Sequence, residues 1–177
     1  MSDAARPPTP PPPPPAPLRG LLADAHAILP QGVRLVLESQ PDLVVVGEAA
    51  NGEEALALAR RLLPDVVVMD IAMPGLNGLE ATRRLRAELP GVQVVVLTMH
   101  ADREYVTRVV QAGAAGYVLK QAAAQELVQA LRAVRDGAAY LHPDATRALI
   151  GDYLRRLDDS PADGLTPRER EVLRLVA

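Results

Sequence analysis

The 177-residue chain contains no cysteine, no phenylalanine and no tryptophan. Without cysteine there are no disulfides, no thiolate zinc clusters and no thiol catalysis, and the redox compartment stays open. The aromatics reduce to Tyr105, Tyr117, Tyr140 and Tyr153, too few to build the stacking platforms of a single-strand nucleic-acid binder. A formal charge of −3 supplies no electrostatic footprint for DNA. No apolar run approaches the length of a membrane span, and no basic region followed by an apolar one opens the chain, so neither insertion nor export is expected. The expectation is a cytoplasmic protein with no membrane partner. What is present is a 49% hydrophobic composition made almost wholly of Ala, Val and Leu, enough for one domain with a sizeable core and an appendage.

Residues 1–17 are dominated by proline, unbroken from Pro10 to Pro15. Lacking N–H donors, the segment predicts an extended or disordered tail, and no function is assigned to it. From Leu18 onward short apolar runs alternate with helical patterns, the signature of repeated βα units on a parallel sheet. Strands are predicted at 19–23, 43–47, 65–70, 93–98 and 116–119, and helices at 31–38, 52–62, 79–88, 103–112 and 124–135. The strands are so continuous in Val and Leu that neither face should meet water. Pro64, Pro90, Gly113 and Gly137 act as helix stops. The fold expected is α/β: a flavodoxin-like (βα)5 doubly wound parallel sheet over 18–137, strand order 2-1-3-4-5. A linker with a helix at 144–157 follows over 138–164. At 165–177, Thr166 as N-cap, Pro167 at the first helical position and Glu169 three residues after the cap predict a further helix, the first of an incomplete all-α domain.

The most telling stretch is Asp65-Val66-Val67-Val68-Met69-Asp70, followed by Ile71-Ala72-Met73-Pro74-Gly75-Leu76-Asn77-Gly78. A buried strand delivers Asp70 to the C-terminal edge of the sheet, where open α/β sheets keep their sites. The Met-Pro and Gly-x-Asn-Gly then force a shaped loop, because proline fixes its own φ and biases its predecessor to extended geometry. A lone aspartate of this kind is as readily a helix cap, but here three more residues fall at strand ends: Asp24, Thr98 and Lys120. An aspartate nucleophile, a cation, a lysine and a hydroxyl are the parts of an aspartyl-phosphate site. Phosphoryl transfer to Asp70, presented on an open ledge, is the chemistry implied.

The chain from about Leu18 to Thr166 and beyond resembles a bacterial two-component response regulator of the NarL/FixJ type. The resemblance is carried by Leu21-Leu22-Ala23-Asp24-Ala25-His26-Ala27-Ile28, by Val46-Gly47-Glu48-Ala49-Ala50-Asn51-Gly52-Glu53-Glu54-Ala55, by Asp70-Ile71-Ala72-Met73-Pro74-Gly75, by Leu97-Thr98-Met99-His100 and by Gly116-Tyr117-Val118-Leu119-Lys120. It implies that a sensor histidine kinase phosphorylates Asp70 and that Mg2+ binds beside it through Asp24, Asp70 and the backbone carbonyl of Ala72. It also implies that Thr98 and Tyr117 form a switch pair that repacks the fourth helix, fifth strand and fifth helix, and that the receiver forms a homodimer. Leu165-Thr166-Pro167-Arg168-Glu169-Arg170-Glu171-Val172-Leu173 resembles the opening of a LuxR-type helix-turn-helix domain. The expectation is a shortened transcriptional regulator, binding promoter DNA only where the rest of that domain is present, with Arg168, Arg170 and Arg174 on a solvated helix face.

One departure stands out. The family carries two adjacent acids after the first strand, whereas here Asp24 is followed by Ala25, and the missing acid is the one that ordinarily contacts magnesium directly. Metal affinity, and with it the phosphorylation rate, should fall. Ala25 also motivates a rival reading, a pseudo-receiver that works by protein contacts alone. An enzyme on the same sheet is a weaker rival: no Gly-rich phosphate loop follows the first strand, and Ala72 stands where a general acid would. His26 and His100 are expected near the site and His142 at the surface, all without a catalytic role.

Overall fold

The computed structural model describes residues 12–26, 28–99, 102–122, 124–159 and 167–176. The expectations for 1–11, for His100, for 160–164 and for the Thr166 cap lie outside them. In chain order the elements are β1 (Leu18–Ala23), α1 (Ile28–Glu38), β2 (Leu43–Ala49), α2 (Gly52–Leu62), β3 (Val66–Asp70), α3 (Gly78–Glu88) and β4 (Gln93–Thr98). They continue with α4 (Arg103–Gln111), β5 (Gly116–Leu119), α5 (Ala124–Arg135), β6 (Tyr140–Leu141), α6 (Pro143–Asp159) and α7 (Pro167–Val176).

The strands form one sheet in the order β2-β1-β3-β4-β5-β6, every pair parallel. Because side chains alternate along a strand, β3 feeds two cores at once. Val67 and Met69 join Leu21, Val94, Val96 and Tyr117 under α2, α3 and α4. Val66 and Val68 join Leu22, Val95, Leu97 and Val118 under α1 and α5. Each of these side chains contributes about 1.5–3 kcal/mol on burial, against roughly 1–2 kcal/mol of backbone entropy. The central strands are therefore the best determined part of the molecule.

Local devices shape both edges of the sheet. Asn51 and Asn77 cap α2 and α3, each side chain accepting the N–H three residues on at 2.9 Å. At the opposite edge, beside Leu18 and Asp65, the turn after α5 runs through Gly137, whose φ of +83° suits a residue without Cβ.

The structure departs from the sequence reading in three places. A sixth strand, β6, follows α5: Tyr140 N–H donates to Ala115 O at 3.0 Å and His142 N–H to Tyr117 O at 2.9 Å. Two residues carry no periodicity, so this strand leaves no pattern to read. β2 is an edge strand with a wet side, Val44 being 38% exposed, because only β1 pairs with it. Finally, α6 and α7 both pack on α4. Ala145, Leu149, Val172 and Glu169 are buried, Arg103 pairs with Asp152 at 2.8 Å, and Gln111 Nε2 donates to Glu169 at 3.2 Å. Arg168 is therefore partly buried against Ala114 O at 3.5 Å, contrary to the expected solvated face, whereas Arg170 and Arg174 are exposed.

Candidate functional site

Three strand ends converge on one lysine. Asp24 follows β1, Asp70 ends β3 and Lys120 follows β5. Register holds them together, since β3 pairs with β1 and β4, and β4 with β5. Lys120 Nζ donates at 2.8 Å to Asp24 Oδ2 and at 2.8 Å to Asp70 Oδ2, and its backbone is fixed by donation from its N–H to Thr98 O at 2.7 Å. The side chains of Lys120, Asp24 and Asp70 are only 6%, 7% and 2% exposed. Two carboxylates so enclosed need a cation beside them, since an unpaired buried charge costs several kcal/mol. Asp70 is thus not the open ledge expected from the sequence, because the lysine that balances its charge also covers it.

The loop after β3 holds Asp70 from the other side. Ala72 N–H donates to Asp70 Oδ1 at 3.0 Å, and the turn closes through Met73 N–H and Gly78 N–H, both donating to Ile71 O at 3.0 and 3.1 Å. Gly78 is required where it stands: a Cβ there would lie 1.9 Å from Asp70 O. The Gly-x-Asn-Gly run is therefore what lets α3 begin directly against the backbone of the candidate nucleophile.

Thr98 ends β4 beside this group and is 1% exposed, and Tyr117, paired with Val96 across β4 and β5, is fully buried. Burial pushes the Tyr117 phenol well above its usual range, helped by the charge of Asp102 and by Tyr105. Its ring already lies inside the core that α4 covers.

His26 is the residue the sequence reading undervalued. Its backbone N–H donates to Asp24 Oδ1 at 2.7 Å, and its Nδ1 lies 3.0 Å from that oxygen and 3.7 Å from Asp70 Oδ2. The Asp24-x-His26 spacing was the available signal, because a residue two places past a strand end can fold back over it. Ala25 between them is exposed and brings no oxygen. His142 does not join the site: it is partly buried instead, 3.9 Å from Glu126.

Asp24 and Asp70 bring carboxylate oxygens that, with a ring nitrogen of His26, lie within 4.8 Å of one another, and a hard divalent cation usually takes one or two carboxylates with waters and substrate phosphate. These residues fit such an ion. Chemically, the arrangement sets a buried carboxylate beside a fixed positive charge at the edge of a parallel sheet.

Residues 21–132 match the family described as the response regulator receiver domain. Among curated proteins the chain is similar to the transcriptional regulatory protein DegU of Brevibacillus brevis, 39% identical over an alignment of 172 residues that covers 88% of this chain and 73% of that one. It is also similar to the response regulator GacA of Pseudomonas aeruginosa, 42% identical over 161 residues, 90% of this chain and 75% of that one. Among solved structures, a LuxR-family two-component response regulator from Aurantimonas sp. SI85-9A1 superposes with a TM-score of 0.75 at 37% identity, covering 78% of this chain and 99% of that one. The isolated receiver domain of RcsB from Salmonella enterica, in the presence of phosphomimetic BeF3−, superposes with a TM-score of 0.70 at 27% identity, covering 75% and 98%.

Proposed function

This chain belongs to the response regulator receiver family, as a two-component regulator of the NarL/FixJ and LuxR type, and on that premise we propose that Asp70 is its phosphoryl acceptor. The observation that carries the proposal is Lys120 Nζ at 2.8 Å from both Asp24 and Asp70. In the reaction, a carboxylate oxygen of Asp70 attacks the phosphorus of a phosphohistidine on the sensor kinase. A P–O bond forms, the P–N bond breaks, and the imidazole leaves with the electron pair. Lys120 meets the negative charge that arrives with the phosphoryl oxygens. Asp24 and Asp70, with the Ala72 carbonyl, would hold a divalent cation that supplies further neutralisation when bound.

Thr98 and Tyr117 are the proposed switch. Thr98, at the end of β4, reaches toward the phosphoryl group, and the buried Tyr117 marks the packing that phosphorylation favours. The effect is a population shift between two packings of α4, β5 and α5. The relatives are transcriptional regulators of two-component systems, which gives the pseudo-receiver reading no support. By the same likeness we assign 18–137 as the receiver, 138–164 as the link and 165–177 as the start of a helix-turn-helix unit serving promoter DNA. The receiver homodimer is a proposal from that likeness alone.

Ala25 sets the rate in this proposal. Beryllofluoride titration followed by amide NMR should shift resonances around Asp70, Thr98 and Tyr117 in the natural chain, none in Asp70→Asn, and at lower Mg2+ in Ala25→Asp. If Ala25→Asp binds no better than the natural chain, the missing acid does not limit the site. If the natural chain never responds, Asp70 is not the acceptor.

A further inference from the structure

We propose that the cation site beside Asp70 selects a borderline transition-metal ion, of the Zn2+, Co2+ or Ni2+ class, through the imidazole of His26. Its use of the pocket rests on Asp70 being the acceptor, and its donors are those the fold brings together.

The donor atoms are already gathered. A carboxylate oxygen of Asp24, the ring nitrogen of His26 and a carboxylate oxygen of Asp70 all lie within 4.8 Å of one another. Bonds of about 2.0–2.2 Å place neighbouring ligands of a tetrahedral ion roughly 3.3–3.6 Å apart. The observed separations from His26 Nδ1, 3.0 Å to Asp24 Oδ1 and 3.7 Å to Asp70 Oδ2, straddle that range. The Asp70 oxygen that faces His26 is the one Lys120 also holds, so an ion there shares Oδ2 with Nζ.

The carboxylates are positioned from behind. Asp24 gives Oδ2 to Lys120 and turns Oδ1 toward His26. Asp70 is held by Ala72 N–H on Oδ1 and by Lys120 on Oδ2. His26 is the exposed member, its side chain 66% accessible, so the donor set meets solvent on that side.

Ligand chemistry then decides the ion. With an alanine at position 25 there is no acid beside Asp24 in the chain, and the group folded onto Asp24 Oδ1 is the His26 nitrogen. Imidazole suits Zn2+, Co2+ and Ni2+, whereas Mg2+ demands oxygen ligands in near-octahedral array. The substitution that weakens a magnesium site leaves this one intact.

The test uses the untagged full chain. Co2+ is titrated and read by its visible d–d absorption, and Zn2+ and Mg2+ by calorimetry, for the natural chain and for His26→Ala. The exposure of His26 keeps the core out of the comparison, and a circular dichroism melt of the variant checks that. Outer-shell ligand partners are worth about 10–100-fold in metal affinity, so loss of a direct ligand should weaken Co2+ and Zn2+ by at least about tenfold. Mg2+ affinity should stay within about twofold, since magnesium gains little from nitrogen. Absence of a Co2+ band, a band that survives His26→Ala, or an equal loss for Mg2+ overturns the proposal. Loading Asp70 from acetyl phosphate with Mg2+ alone separates the two readings. Asp70 modified with no His26-dependent Co2+ binding sinks this inference only. His26-dependent Co2+ binding with Asp70 unmodified under every ion sinks the acceptor reading only.

Discussion

Replacing Gly78 by alanine should damage both stability and chemistry, through a single contact. The new Cβ would meet Asp70 O at 1.9 Å, Asp70 C at 2.7 Å and Ile71 Cα at 2.9 Å, all backbone atoms with no flexible side chain to swing aside. Reaching the 3.0 Å that real Cβ atoms keep requires a separation of about 1 Å, and overpacking of this kind costs about 1–3 kcal/mol. β3 cannot retreat, because β1 and β4 pair with it on both sides. The start of α3 must move instead, which strains the Asn77 cap on Glu80 N–H, worth about 1 kcal/mol. The total expected from urea unfolding is a loss of about 2–4 kcal/mol. The loop joining β3 to α3 would be pulled with the helix start, and its Ala72 N–H holds Asp70 Oδ1; a 1 Å misplacement costs on the order of 100-fold in rate, readable as acetyl-phosphate loading. Gly91→Ala is the control: its Cβ meets nothing within 4 Å, so stability should change by no more than about 0.5 kcal/mol. A Gly78→Ala chain as stable as the control, loading Asp70 at the natural rate, would refute the reasoning.

Three further outcomes are expected. Lys120→Met leaves the Asp24 and Asp70 carboxylates, 7% and 2% exposed, without their cation, and urea unfolding should show a loss of about 3–5 kcal/mol; a loss under about 1 kcal/mol would mean the pair tolerates burial alone. Asp42 is held well below the usual carboxylate range, chiefly by its hydrogen bond to Arg132 and further by Arg135. A depressed folded pKa stabilises above the unfolded value of 3.8 and is lost as pH falls below it, so Arg132→Gln should flatten the acid limb of a urea-midpoint profile, and an unchanged limb would contradict this. Tyr140 is pushed up to about 12 by burial and by Glu126, from 10.0. A raised folded pKa means its contribution is whole below 10.0 and disappears as pH rises towards about 12. Ultraviolet tyrosinate titration should therefore show Tyr140→Phe missing a late-ionising group, and loss of an early-ionising one instead would be inconsistent with the burial.

The parallel sheet was legible because Val-rich runs between helical periods leave little choice of architecture. β4 and β5 fall at the residues the runs mark, and β3 starts one residue later. β6 was not legible, since its two residues pair by backbone alone. The wet side of β2 needed the strand order, because an edge is a property of the sheet and not of Leu43–Ala49. At the site, Asp24, Asp70 and Lys120 were readable as strand ends, but enclosure was not. That Lys120 would cover Asp70 follows from its distance to two carboxylates at once, a long-range fact no local spacing carries. Arg168 shows the same limit: on one helix it reads as a solvated cation, and it is the distant Ala114 carbonyl that it meets in the fold.

The central claim, that Asp70 receives the phosphoryl group, is tested most directly by intact-mass spectrometry after incubation with acetyl phosphate and a divalent cation. The account predicts a mass gain of one phosphoryl group in the natural chain, faster in Ala25→Asp, and no gain in Asp70→Asn. A natural chain that gains nothing, or an Asp70→Asn chain that gains as much, would contradict it.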